Sequence, residues 1–171
     1  MDSMDEYTKR RSVTKSIVLD ADQSIVWELI STPGHLNHVH PFCQVNKPVF
    51  WEENHHQDEL IYLNGMHYIR SFVNWIPMEG YDLLIGEKDG PQSYVVWKLE
   101  SISESKSQLT ITVFPFMMEK WPRIASYIPF SFWVKPRLTN YLDSVLSGID
   151  FFIQNGEEVP RNFKGRHAWF S

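Results

Sequence analysis

The stretch GHLNHVHPFC, residues 34–43, sets three histidines, His35, His38 and His40, within six residues, with the chain's single cysteine, Cys43, just behind them. Imidazoles and a thiolate are the usual ligands of zinc, and a histidine is the commonest general base. Whether these residues converge decides between such roles. In a helix His35 and His38 lie about 60° apart while His40 points away. In a strand His38 and His40 share a face and His35 leaves it. Pro41 pushes the residue before it out of helical geometry, so the break falls at His40 and does not gather all three rings. Cys43 has no CxxC partner, and His55-His56 beside Glu52, Glu53 and Asp58 are adjacent residues that face apart. No metal site and no cofactor is expected. His35 and His38 read either as solvent-facing or as polar contacts for a ligand. His40, beside Pro41-Phe42, is the best candidate for the mouth of a pocket, with His38 and Phe42 near it.

A second chemical stretch is MHYIRSFVNW, residues 66–75. As a strand it puts Tyr68, Arg70, Phe72 and Asn74 on one face and His67, Ile69, Ser71, Val73 and Trp75 on the other. Both faces mix apolar with polar residues, so the pattern does not choose the inward one. An inward Arg70 is a buried cation that requires a protein carboxylate or an acidic ligand; otherwise it faces water. His67 is a second candidate base. Tyr62, Trp97, Tyr141 and Val145 are candidate walls, each equally at home in an ordinary core.

The elements that must position these residues can be read from spacing. VTKSIVLD, from Val13, is a β-branched strand. Asp22 offers an N-cap to QSIVWELIS, whose Ile25, Val26, Leu29 and Ile30 recur at helical spacing. Pro33-Gly34 ends that helix, and GHLNHV makes a second short one. From 44 to 116 the chain reads as a meander of five or six strands. Pro48 favours an edge strand, and Asn64-Gly65 marks a hairpin turn with positive φ at both positions. Val95, Trp97 and Leu99 alternate with Lys98 and Glu100, and Leu109, Ile111 and Val113 with Thr110 and Thr112. One face is therefore buried and one wet. From Pro136 to Gln154 a long helix carries Leu138, Tyr141, Leu142, Val145, Leu146, Ile149, Phe152 and Ile153 as one stripe, and Asn155-Gly156 closes it. Only the sheet is large enough to receive that stripe.

This order resembles the SRPBCC, START-like helix-grip superfamily, which includes polyketide cyclase/dehydrase-like and birch-pollen-allergen-like proteins. The residues that carry the resemblance are IVLDADQSIVWELISTPGHLNHVHPF, with Val26-Trp27-Glu28-Leu29-Ile30 in the first helix, and LTNYLDSVLSGIDFFI near the end. It implies an α+β fold in which a curved antiparallel sheet wraps around a long C-terminal helix, with two short helices after the first strand and an apolar cavity between sheet and helix. It also implies a small apolar ligand such as a lipid, quinone or polyketide, held by a carrier or sensor. The alternative it offers is a cyclase or dehydratase in which His40 or His67 acts as general base. The superfamily has no shared catalytic motif to transfer.

The expected domains are a flexible N-terminal arm (1–12), the helix-grip domain (13–155) and a C-terminal tail (156–171). Within the domain FMMEKWPRIASYIPFSFWVKP, residues 116–136, is an aromatic insertion. So apolar a connection reads as a lid or as a homodimer interface through residues 117–134. With Lys120, Arg123 and Lys135 as its only basic support, membrane contact is the weakest of the three readings.

Composition excludes several classes. A net charge of -5 with pI near 5.8 gives no nucleic-acid surface. A single cysteine excludes a disulfide framework, no apolar run is long enough to span a membrane, and MDSMDEYTKRRSV has no signal-peptide core, so a cytoplasmic protein is expected. Neither G-x-S-x-G nor a phosphate-binding glycine loop is present. Seven Trp, seven Tyr and eleven Phe supply aromatics for a core, an interface or a pocket lining.

Overall fold

The computed structural model describes residues 3–53, 55–118 and 121–171. One antiparallel sheet of seven strands forms the frame: β1 (Val13–Leu19), β2 (Cys43–Glu52), β3 (His55–Tyr62), β4 (His67–Ile76), β5 (Gly80–Gly86), β6 (Gln92–Ser103) and β7 (Lys106–Phe114). Strands β2 to β7 follow one another as a meander, and β1 closes the far side by pairing with β7, giving the order β1-β7-β6-β5-β4-β3-β2. Pro48 sits on the edge strand β2, where its missing N–H costs no ladder bond, and the register shifts between Pro48 and Phe50.

The alternation read in β6 and β7 holds. Val95, Trp97, Leu99, Leu109, Ile111 and Val113 are all buried, while Lys98 and Glu100 are exposed. The hairpin turn differs from expectation. Gly65 alone has positive φ, at 84°, and its N–H donates to the Tyr62 carbonyl while the Tyr62 N–H donates to Met66. Four residues, 63–66, thus separate the strands, and a loop of that length needs only one left-handed residue.

Two short helices, α2 (Gln23–Ser31) and α3 (Leu36–Val39), cross from β1 to β2, with α1 (Ser3–Thr8) preceding β1. Asp22 caps α2 as its side chain accepts from the Ser24 and Ile25 N–H groups. Residues 1–12, read as an arm, thus carry a short helix, of which Met1 and Asp2 lie outside the described residues; Tyr7 packs 5.8 Å from Tyr94.

The long helix begins earlier than its amphipathic stripe indicates. Segments α4 (Arg123–Pro129), a π-helical turn (Phe130–Val134) and α5 (Lys135–Asn155) run on with helical dihedrals at both junctions. Proline lacks an N–H and crowds the preceding turn, so Pro129 is costly inside a helix, while Pro136 falls in the first turn of α5, where proline is tolerated. The wide π turn lies between them, a common way of absorbing such irregularity within a continuous helix. Residues 123–134 are therefore the first turns of the grip helix; Glu119 and Lys120 of the apolar segment lie outside the described residues.

α5 lies on the concave face, burying Leu138, Leu142, Val145, Leu146 and Ile149. Gly148 lets it approach α3: a Cβ there would stand 2.2 Å from the Val39 carbonyl oxygen. No helix among the described residues is long and apolar enough to cross a membrane.

Candidate functional site

Between the sheet and α5 lies a cavity of about 80 Å3. Its walls are mainly aliphatic and aromatic, and its polar groups are His40, Tyr62, Tyr68, Arg70, Ser93 and Tyr141. Such a volume holds a few waters or a single small ring. A larger guest requires wall side chains to move.

His40 is placed by α3, and α3 is locked to the edge of the sheet by a pair of asparagines. Asn37 donates to the Asn46 carbonyl at 2.7 Å and accepts from the Asn46 N–H at 2.7 Å. Asn46 also donates to the Glu59 carbonyl. At the end of α3 the backbone turns extended at His40, ahead of Pro41, and swings the imidazole inward. His40 is only 4 % exposed, so it is an inner wall residue and not the polar lip of an open mouth.

Its hydrogen bonds fix its tautomer. The Phe42 N–H donates to Nδ1 at 3.2 Å, so Nδ1 keeps its lone pair and the ring proton sits on Nε2. That Nε2–H donates to the Tyr141 hydroxyl at 2.8 Å, and Tyr141 lies 3.1 Å from the Tyr62 hydroxyl. Burial, and next the charge of Arg70, lower the His40 pKa to about 3. Burial raises both phenols above their ordinary range. The row is therefore neutral near pH 7, and it has one hydrogen more than it has bonds. His40, Tyr141 and Tyr62 each bring one hydrogen to two bonds. Either phenol can donate across the pair, and in both cases one O–H on the cavity wall is left over.

Arg70 faces inward at 3 % exposure and is answered by a protein carboxylate. Its cross-strand neighbour Asp58, fully buried, accepts from Nε at 2.7 Å and from the second guanidinium arm. Burial opposes the charge, but Asp58 outweighs it and holds the Arg70 pKa above its ordinary value. An acidic ligand is thus not needed to balance this cation.

Among the other expected site residues, Trp97 and Val145 line the cavity. Phe42 lies one layer behind, fully buried, with its ring stacked 5.9 Å from Tyr141. His38 and His67 do not reach the cavity. The turn of α3 directs His38 outward to Glu158, 2.8 Å away, and strand alternation puts His67 on the outer face, 3.6 Å from Glu59. His35, read as solvent-facing or ligand-facing, is neither: it is 1 % exposed, packs edge-on to Trp97, and donates from Nδ1 to the Thr32 carbonyl. Burial pushes the Cys43 thiol up to about 12, which leaves it unreactive.

Two wall residues escaped the sequence reading. Tyr68 shares the strand face of Arg70 and follows once Arg70 is known to point inward. Phe170 comes from the tail, where the aromatic run His167-Ala168-Trp169-Phe170 was its only signal. It stacks 4.5 Å from Tyr62 and 4.6 Å from Tyr141. The tail is pinned by Asn64, which donates to the Trp169 carbonyl, and by His167 against the Arg137 carbonyl. Other aromatics lead away from the cavity: behind Trp97 on its wall, Tyr81, Trp75 and His56 stack in turn with ring centres 5.4, 5.2 and 4.0 Å apart.

No family model and no curated protein matches this sequence. Solved structures do match. The di-domain ARO/CYC BexL from the BE-7585A biosynthetic pathway is 11 % identical with a TM-score of 0.66, over 84 % of this chain and 46 % of that one. This chain thus spans less than half of BexL. The Zhui aromatase/cyclase from Streptomyces sp. R1128 is 13 % identical with a TM-score of 0.62, over 87 % and 99 %. A START superfamily protein from Mycobacterium smegmatis is 10 % identical with a TM-score of 0.60, over 84 % and 97 %. At these identities the likeness establishes the fold. This chain has the START-like, polyketide cyclase-like helix-grip fold.

Proposed function

We propose that the protein binds a small, mainly apolar molecule bearing a carbonyl or comparable oxygen acceptor, as a carrier or sensor and not as a catalyst. The observation that supports this is the leftover O–H of the Tyr62–Tyr141 pair on an otherwise apolar wall. An acceptor there gains a bond that a hydrocarbon cannot make, while burial of the body supplies affinity at about 25 cal/mol per Å2. Quinones and polyketide-like ketones fit this description better than plain alkyl chains.

The cyclase or dehydratase reading needs a base, and neither candidate suits the part. His67 lies outside the cavity. His40 has its Nδ1 lone pair occupied and its conjugate acid disfavoured by burial, so it presents a hydrogen to the cavity side and not a lone pair. Calorimetric titration with 1,4-naphthoquinone and with naphthalene tests the proposal. Preferential binding of the quinone supports it. Equal affinity for both compounds, or turnover of a polyketide ketone, above all turnover that His40→Gln abolishes, contradicts it.

A further inference from the structure

The first turns of the grip helix are apolar on two opposite faces. Ser126, Phe130 and Val134 step down the inner face and are buried. Ile124, Ile128 and Phe132 step down the outer face by the same interval and are 92 %, 66 % and 78 % exposed. Trp121, Tyr127 and Trp133 flank them, each about half exposed. Single exposed apolar residues are ordinary, but a helix apolar on both faces is normally covered on both, and a contiguous patch marks a contact surface.

The charge around the patch is one-sided. From Trp121 to Leu142 the sequence holds Arg123, Lys135 and Arg137 and no Asp or Glu, although the whole chain is net negative at -5. The groove alongside is lined by Glu6, Lys9, Arg10 and Arg11 with Trp121 and Phe130, so its lining is net positive at the same end. Arg11 reaches the helix itself, donating to the Ser126 hydroxyl. Met117 lines both that groove and the internal cavity, so the patch adjoins the cavity rim.

We propose that this face docks the protein on an anionic lipid bilayer. Ile124, Ile128 and Phe132 enter the boundary between headgroups and acyl chains, and Trp121, Tyr127 and Trp133 sit at headgroup level, the depth that indole and phenol rings favour. The basic residues face the negative surface potential. A second copy of this chain is the competing occupant. A twofold pairing of the patch brings the basic residues of both copies into one interface, with no carboxylate between Trp121 and Leu142 to answer them. The charge therefore favours lipid. The docking rests on exposure and charge alone and is independent of what the cavity holds.

Co-sedimentation of the full chain with vesicles of phosphatidylcholine, with and without phosphatidylserine, tests this. The expected result is binding to the mixed vesicles that weakens with added salt. It falls by roughly tenfold or more in the Ile128→Ser/Phe132→Ser double variant and severalfold in Lys135→Glu, with thermal midpoints unchanged because these side chains are exposed. Absence of binding to phosphatidylserine vesicles, or binding that the double variant leaves intact, overturns the proposal. A concentration-dependent dimer in sedimentation velocity that the double variant abolishes also overturns it, in favour of the second copy.

Discussion

His40 Nε2 lies 2.8 Å from the Tyr141 hydroxyl, and this contact joins the short helix after the first strand to the long C-terminal helix across the cavity wall. The two phenols beyond it differ in consequence. Tyr141→Phe strands the buried His40 Nε2–H and is expected to cost about 1–3 kcal/mol of stability. Tyr62→Phe leaves His40 bonded to Tyr141 and is expected to cost less stability. Tyr141 then keeps a free O–H of its own, so affinity for a ketone or quinone ligand should change by about twofold or less. Urea unfolding and calorimetry on the two variants separate these outcomes; the reverse ranking in stability would show that the hydrogen-bond direction is misassigned.

Acid sensitivity follows chiefly from His35 and His40, the two of the four buried histidines whose pKa burial lowers furthest. Burial first, and the Arg70 charge second, hold His35 and His40 at about 3 in the folded state. Unfolded, they titrate near ~6.5. Between these values the unfolded chain binds more protons, so stability is full above the unfolded pKa and is lost as pH falls through this window. Two such groups withdraw up to ~4 kcal/mol between pH ~6.5 and ~5. Urea midpoints measured across that range should fall steeply, and His35→Leu should remove about half of the slope. A flat profile in this window would mean that the rings become protonated in place.

Asp58 and Arg70 form a buried pair, which is costly to break and cheap to replace as a unit. Asp58→Ala is expected to destabilise by about 3–5 kcal/mol, whereas Asp58→Leu/Arg70→Met should recover most of that loss. Thermal denaturation of the single and double variants measures the difference. A double variant as unstable as the single would show that Arg70 has partners that matter more than Asp58.

Phe170 fills space between Tyr62 and Tyr141. Phe170→Ala should destabilise by about 3 kcal/mol or less, because the residue lies in a terminal segment able to settle, while enlarging the cavity. Uptake of an environment-sensitive dye such as anilinonaphthalene sulfonate should rise. Unchanged dye binding together with an unchanged melting point would mean that the tail does not occupy the cavity in solution.

Gly148 fixes the approach of α5 to α3. Gly148→Ala drives a methyl group against the Val39 carbonyl and should cost about 1–3 kcal/mol despite alanine's better helix propensity. A stabilised variant, read from its urea midpoint, would show that the two helices separate at no cost.

Local pattern carried the fold because each element announces itself within a few residues: the alternation of Val95, Trp97 and Leu99, the Asp22 cap, and the stripe ending in Gly156. The site was legible only in part. His40, Tyr62, Arg70, Trp97, Tyr141 and Val145 line the cavity; Trp97, Tyr141 and Val145 lie on faces that alternation or helical spacing marks as buried, whereas the mixed strand of Arg70 gave no inward face. His38 and His67 share residue type with true wall residues, and type alone does not give direction. Phe170 was out of reach for a different reason. Its position depends on a tail of irregular backbone folding back more than one hundred residues in sequence onto Asn64, and no periodicity encodes that.

The most direct measurement is native mass spectrometry of the freshly purified full chain, followed by organic extraction and titration with fatty acids, quinones and aromatic polyketides. A one-to-one complex with an apolar, oxygen-bearing molecule is the result that ligand binding in this cavity predicts. A mass that stays at the bare chain through every addition would contradict it and leave the space beneath the long helix as core packed by the protein's own side chains.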